Sequence, residues 1–180
     1  DVDGDSTTFR VRALHPFLRS RKENLFGRVS FDYRNSETEI LGVQTSEDRI
    51  RSLRLGVQYD FLDNLRGVNL VDVELSQGLD IMNSTEAGVG RSRSDGEDDY
   101  TKINMDIARL QNLSGGWSVL AQASGQYAFD PVLSAEEFSL GGPGFGRAYD
   151  PSELASDHGA AAKLAVRWGD APGEPFLQSY

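Results

Sequence analysis

Apolar and polar residues alternate with a period of two in several separate stretches of this chain. Between Leu53 and Phe61, apolar side chains occupy every second position, and arginine, glycine, glutamine and aspartate stand between them. Successive side chains of a β-strand point to opposite faces, so this period predicts strands with one apolar and one polar face. The pattern predicts no helix and about eight strands, at about 7–15, 25–35, 50–61, 67–79, 100–111, 117–129, 158–168 and 175–180.

The connections between these predicted strands alternate in length. Short stretches with turn-forming residues follow Phe61, Leu110 and Trp168, and the turn at about 16–24 belongs with them. Long polar stretches occupy about 35–48, 80–99 and 130–157. Long and short connections therefore lie at opposite ends of the strands, as in transmembrane β-barrels with short periplasmic turns and long extracellular loops. Aromatic residues at strand ends fit the interfacial girdles of such barrels, namely Tyr33, Tyr59, Phe61, Tyr100, Trp117, Phe129 and Trp168.

The predicted fold class is all-β, an antiparallel meander of about eight strands that forms part of a transmembrane outer-membrane β-barrel. The polar residues would then line a hydrated lumen, although for any single one of them a solvated face with cross-strand charge pairs is the favoured explanation. A soluble β-sandwich stays open as an alternative, because its strands alternate in the same way. The predicted lumen-lining residues are Arg28, Arg54, Asp72, Glu74, Asp106 and Arg167, together with Asp60 and Lys102.

Composition argues against several other classes of protein. The chain has no cysteine, and its two histidines, His15 and His158, are far apart, so we expect no disulfide, metal or cofactor. A net charge of -10 disfavours nucleic acid as a partner. Ser156, Asp157 and His158 are consecutive, so they point to different sides of an extended chain, and we expect no catalytic residue. No apolar run of 18 residues and no signal peptide are evident, so we expect a mature protein or an internal piece of one.

The longest predicted connection contains the sequence FSLGGPGFGRAYDPSELASDHG, from Phe138 to Gly159. The segment could simply be a mobile surface loop, but it is not a phosphate-binding loop, because no Lys-Ser or Lys-Thr follows the glycines. Glycines permit a long loop to fold back compactly, and an arginine offers a planar, permanently charged fork to a partner. We therefore expect flexibility at Gly141, Gly142 and Gly144, and an anchor at Gly146, Arg147 and Tyr149.

At these residues the chain resembles the haemolysin secretion/activation proteins, the outer-membrane transporters of two-partner secretion. The resemblance is carried by SAEEFSLGGPGFGRAYDPSELASDHGAAAKLAVRW, and extends backwards through RSRSDGEDDYTKINMDIARLQNL and VELSQGLDIMNS to about Phe9. It departs from the family at Ala148 and Ser156, where the family usually has glycine.

The resemblance implies a fold and a function for the whole chain. Residues 1–180 would be a partial C-terminal β-barrel domain, from a barrel of about 16 strands preceded by polypeptide-transport-associated (POTRA) domains. Residues 130–157 would form a loop that enters the lumen, with Arg147 bound to an acidic wall residue beyond Tyr180. The function would be a translocation pore in the outer membrane of a Gram-negative bacterium, not an enzyme, that exports and in some cases activates a haemolysin- or adhesin-like exoprotein.

The same resemblance implies a set of partners. They are the unfolded secreted exoprotein, outer-membrane lipid, the outer-membrane assembly machinery and the remainder of the chain's own barrel with its POTRA domains; no nucleic acid is expected. A general porin-like barrel stays open as an alternative function, as does a soluble β-sandwich binding module.

Overall fold

The computed structural model describes residues 2–41, 43–84, 90–141 and 154–168, and these form one long antiparallel sheet with a small hairpin beside it. Its strands are β1 (Val2–Arg19), β2 (Glu23–Ile40), β3 (Val43–Leu62), β4 (Val68–Gly78), β5 (Thr101–Asn112), β6 (Trp117–Ala128), β7 (Phe138–Leu140), β8 (Leu154–Ser156) and β9 (Gly159–Trp168). The sheet order is β1-β2-β3-β4-β5-β6-β9, while β7 pairs with β8. Short 3₁₀ turns lie at Ser114–Gly116 and Ser134–Glu136. Predicted strand 175–180 lies outside the described residues.

The two faces of the sheet are opposite in character, as the alternation predicts. One face carries exposed apolar side chains such as Leu55 and Val57, which are 48% and 51% exposed. The other face buries polar and charged side chains, including Asp32 at 4% and Lys102 at 5% exposure. In water this arrangement would leave a large apolar surface uncovered, and among the described residues no second sheet covers it. The arrangement therefore fits a barrel wall with lipid outside, not the soluble sandwich.

The β2–β3 hairpin is longer than the sequence pattern predicts. The stretch at about 35–48, predicted to be a polar loop, instead continues the ladder through pairs such as Asn35↔Arg49 and Ser36↔Asp48. A strand of 18 residues spans about 60 Å, well beyond the hydrocarbon core of about 30 Å. Most of the described side chains from Glu37 to Thr45 are exposed, so no apolar surroundings select one face there, and the strand loses its alternation without losing its hydrogen bonds.

The turns after β1, β3 and β5 are short and lie at one end of the sheet; at the other end two connections are long, but β2 and β3 are separated by only two residues, so the predicted alternation of connection lengths fails there. In the turn between β3 and β4, Asp63 accepts hydrogen bonds from the backbone N–H groups of Leu65 and Gly67, both at 2.9 Å. Arg109 and Asn69 donate to its other carboxylate oxygen. The Gly67 N–H contributes most to holding the pKa of Asp63 down, at about 2. The opposite end carries the connection from β4 to β5 and the connection from β6 to β9.

Tyr100 does not belong to the aromatic girdle, contrary to the prediction. It is fully buried in a small apolar cluster with Ile50, Ala128, Val132 and Leu133. Among the described residues, no helix is long and apolar enough to cross a bilayer.

Candidate functional site

Arg28 crosses the inner face of the sheet to reach carboxylates two strands away. It lies on β2, opposite Gly56 on β3, which in turn lies opposite Glu74 on β4. Its guanidinium donates to Asp72 at 2.6 Å and to Glu74 at 3.0 Å. A Cβ at Gly56 would lie 2.4 Å from Arg28 Nε, so the bare backbone of Gly56 is what lets the side chain pass.

A second network continues from Arg54 along the same face. Arg54 Nε donates to Asp32 at 2.8 Å, and its Nη2 donates to Glu136 at 2.7 Å. The other carboxylate oxygen of Glu136 pairs with Lys102 Nζ at 2.8 Å. On the far side, Asp32 also accepts hydrogen bonds from Arg10 of β1. Charges of alternating sign thus run from β1 to β5. Each of the two carboxylates in this network, Asp32 and Glu136, contacts two cations.

Glu136 is the one member of this network that comes from a connection and not from a sheet strand. It lies in the 3₁₀ turn Ser134–Glu136, which follows β6, and its side chain is 7% exposed. Its backbone carbonyl accepts hydrogen bonds from Lys102 Nζ at 2.7 Å and from Gln126 Nε2 at 2.9 Å. We call residues 130–137 the loop base. Through Glu136 and through buried Val132 and Leu133, the loop base lies against the polar face of the sheet.

A polar cavity of about 500 Å³ opens beside the loop base. Both networks contribute to its walls through Asp32, Arg54, Glu74, Lys102 and Glu136. The remaining lining comes mainly from β1 and β2 and includes Arg10, Arg12 and Arg34. Among the described residues no group of His, Cys, Asp or Glu is suited to hold a metal ion.

Above the loop base, Arg93 joins three parts of the chain. It lies between β4 and β5 and forms a two-pronged ion pair with Asp157, one prong of which measures 2.9 Å. It also donates to Glu137 and to the Val132 carbonyl, both at 3.2 Å. The hydrogen bond from Arg93 holds the pKa of Asp157 below its ordinary value, and the same bond raises the pKa of Arg93.

The long connection leaves the loop base as a hairpin stem. β7 pairs with β8 through Phe138↔Ser156, Ser139↔Ala155 and Leu140↔Leu154. The Phe138 ring lies over Gly159, where an added Cβ would lie 2.1 Å from a ring carbon. Asp157 accepts a hydrogen bond from the backbone N–H of Val132, 25 residues earlier. The limb of the connection that leads out to β7 and the limb that returns from β8 are therefore joined where the stem begins; we call them the outgoing limb (residues 130–140) and the returning limb (residues 154–158).

The predicted site residues divide into three groups. Arg28, Arg54, Asp72 and Glu74 come together in the networks above. Asp106 and Arg167 lie on the same face by strand register, and within the described chain neither forms a salt bridge. Of the glycine-loop residues, Gly141 is described and has a positive φ of 129°. The others, Gly142, Gly144, Gly146, Arg147 and Tyr149, lie outside the described residues, and their roles stay predictions.

Sequence reasoning missed Glu136, which joins the loop base to the wall, and Arg93, which joins one long connection to the other. Asp32 shares the alternation phase of Arg28, so the pattern alone could have included it. Glu136 and Arg93 lie in predicted loops, where no period indicates which way a side chain points.

Taken together, the apolar outer face, the charged inner face and the inward loop base define a segment of an outer-membrane β-barrel wall. A family model for "Haemolysin secretion/activation protein ShlB/FhaC/HecB" matches residues 1–180, and the chain belongs to that family. This agrees with the resemblance carried by the glycine loop. No curated protein matches the chain.

The solved structures that share its fold include two CdiB proteins. CdiB from Escherichia coli superposes with a TM-score of 0.81 at 17% identity, over 93% of this chain and 31% of CdiB. CdiB from Acinetobacter baumannii superposes with a TM-score of 0.73 at 15% identity, over 95% of this chain and 30% of CdiB. This chain therefore spans about a third of the length of these proteins.

Proposed function

We propose that this chain is part of the wall of a two-partner secretion pore that exports an unfolded exoprotein across the outer membrane. The observation that carries the proposal is the loop base, which the Glu136 ion pairs hold against the charged inner face. A connection that turns inward at its first residues is well placed to send its glycine-rich part into the lumen. The family membership supports the same function.

In this mechanism the wall supplies a hydrated path and the long loop controls it. No covalent bond is made or broken. Charges of alternating sign on the inner face keep the lumen wet, which suits an extended polypeptide whose backbone groups need hydrogen-bonding partners. Arg147 and Tyr149 would anchor the loop tip by charge-assisted and aromatic contacts, while Gly141, Gly142, Gly144 and Gly146 give it freedom to move between positions.

The testing experiment compares wild type with Arg147→Ala in the full-length transporter. Secretion of its exoprotein is measured from outer membranes that contain equal amounts of heat-modifiable, folded barrel. Arg21→Ala is the matched control, because Arg21 is exposed in the short turn between β1 and β2. We expect secretion to be lost in Arg147→Ala and kept in Arg21→Ala.

Two other results would count against the proposal. Normal secretion by Arg147→Ala would mean that the loop tip is not anchored there, which removes the mechanism but leaves the pore. A wild-type barrel that conducts ions in a planar bilayer yet exports no exoprotein would instead favour the porin-like alternative.

A further inference from the structure

The segment between Gly90 and Asp99, which we call the bridging segment, contacts both the β2–β3 hairpin and the long loop. On the hairpin side, the backbone N–H of Ser92 donates to Asp48 at 3.0 Å, and that of Glu47 donates to the Gly90 carbonyl at 2.7 Å. On the loop side, the backbone N–H of Glu97 donates to the Pro131 carbonyl at 2.8 Å. The bridging segment thus links the β2–β3 hairpin to the loop base.

Within the bridging segment, Arg93 makes the contacts that involve both limbs of the long loop. Its partners Val132 and Glu137 belong to the outgoing limb, whereas Asp157 belongs to the returning limb. A guanidinium has five N–H donors in a rigid fork, so one arginine can satisfy all these acceptors at once. Side-chain exposures of 25% for Arg93, 14% for Glu137 and 19% for Asp157 show that the cluster is largely shielded from solvent.

These contacts set the direction in which the β7–β8 stem leaves the sheet. The stem has three residue pairs, so it is too short to hold its own orientation. Below it, Glu136 fixes the loop base to the wall; at its foot, Arg93 fixes the outgoing limb to the returning one. Together with the Val132 N–H to Asp157 hydrogen bond and the Phe138 ring over Gly159, these two attachments restrain the stem.

We propose that Arg93 is a positioning residue for the pore, which fixes the direction of the β7–β8 stem relative to the barrel wall. This role rests on the proposed export function. Arg93 acts through Asp157 and Glu137 and does not itself contact the exoprotein. Lysine at this position could pair with one carboxylate but could not engage both limbs together.

The test measures the stem's position directly in the full-length transporter in liposomes. The 180 residues contain no cysteine, so Ser139→Cys on the exposed side of β7 and Asp106→Cys on the inner wall provide spin-label sites. Distances between the labels are then measured by pulsed electron spin resonance. The matched control is Arg91→Gln, because Arg91 bonds to the Gly96 carbonyl inside the bridging segment itself.

We expect one narrow distance distribution for wild type and for Arg91→Gln. Arg93→Gln and Asp157→Asn should each raise the population of displaced stems about fivefold, as the loss of a partly shielded charge pair predicts. The double variant should add little to Arg93→Gln, because the Arg93–Asp157 contact is already lost there; it should exceed Asp157→Asn, because Arg93 also contacts Glu137, Asp95 and the Val132 carbonyl. Arg93→Lys should fall between wild type and Arg93→Gln.

An unchanged distribution in Arg93→Gln would overturn the proposal, as would an equal displacement in Arg91→Gln. Exoprotein secretion, measured in parallel, should fall with stem displacement; unchanged secretion despite a displaced stem would also overturn it. Failure of the wild type to export any exoprotein would refute the proposed function instead, while the distances would still decide whether Arg93 positions the stem.

Discussion

The contact most open to quantitative test is the one between Glu136 and its two cations. Replacing Glu136 by glutamine keeps the shape of the side chain and removes its charge. Arg54 then still pairs with Asp32 at 2.8 Å. Lys102 keeps only the Glu136 carbonyl and the side chain of Gln126, neither of which is charged. The cost of the substitution therefore lies mostly at Lys102.

The magnitude follows from this asymmetry. Removing one partner of a buried ion pair costs about 3–5 kcal/mol when the other charge is left with no partner. Here both cations keep hydrogen bonds, so we expect Glu136→Gln to weaken docking of the loop base by about 2–3 kcal/mol. Opening of the loop base should then become about 30- to 150-fold more frequent, since each 1.4 kcal/mol corresponds to a factor of ten.

Amide hydrogen exchange over residues 130–138 of the reconstituted full-length protein measures this opening. Exchange should accelerate by that factor in Glu136→Gln and stay unchanged in the control Glu97→Gln, whose side chain is exposed. Adding Lys102→Met to Glu136→Gln should slow exchange again, because it removes the stranded charge. Acceleration of less than threefold, or further acceleration in the double variant, would refute the assignment of Glu136 as the attachment of the loop base.

Three further outcomes follow from the same structure. Gly56→Ala should displace the Arg28 side chain from Asp72 and Glu74. It should therefore destabilise the folded barrel by about 1–3 kcal/mol, measured by denaturant titration. Gly125→Ala is the control and should leave stability unchanged, because its added Cβ would have ordinary contacts. Gly159→Ala should displace the Phe138 ring and accelerate exchange in the β7–β8 stem. The Asp63 carboxyl should titrate near pH 2 when followed by nuclear magnetic resonance. Its stabilisation of the short turn is then present above about pH 4 and is lost as the pH falls toward 2. A titration midpoint near pH 4 would contradict this prediction.

The two faces of each strand can be predicted from the sequence, but the course of the connections between strands cannot. Strand geometry forces side chains to alternate, so the phase of Arg28, Arg54, Asp72 and Glu74 was readable without any structure. The alternation ends where the β2–β3 hairpin leaves the membrane, because no apolar environment then selects one face. That is why residues 35–48 were predicted to be a loop although their ladder continues to the tip.

Tyr100 shows a second reason why the prediction was incomplete. A tyrosine at the end of a predicted strand fits a girdle, but its burial depends on Val132 and Leu133, which come from a different connection. The ion pairs of Glu136 with Arg54 and of Arg93 with Asp157 span 82 and 64 residues of sequence. Contacts at such separation leave no local pattern in the sequence, because they depend on the order of the strands in the sheet.

The two neighbouring carboxylates of the loop base contact different parts of the molecule. Glu136 points to the wall, at Arg54 and Lys102, while Glu137 points to Arg93 in the bridging segment. These two consecutive residues thus attach the loop base both to the barrel wall and to the bridging segment. The β7–β8 pairs extend to Leu140, and the next residue, Gly141, has a φ of 129°, which residues with a side chain rarely adopt. The last ladder residue before the glycine-rich stretch is therefore held on two sides, and the residue after it has a backbone conformation that glycine adopts most readily.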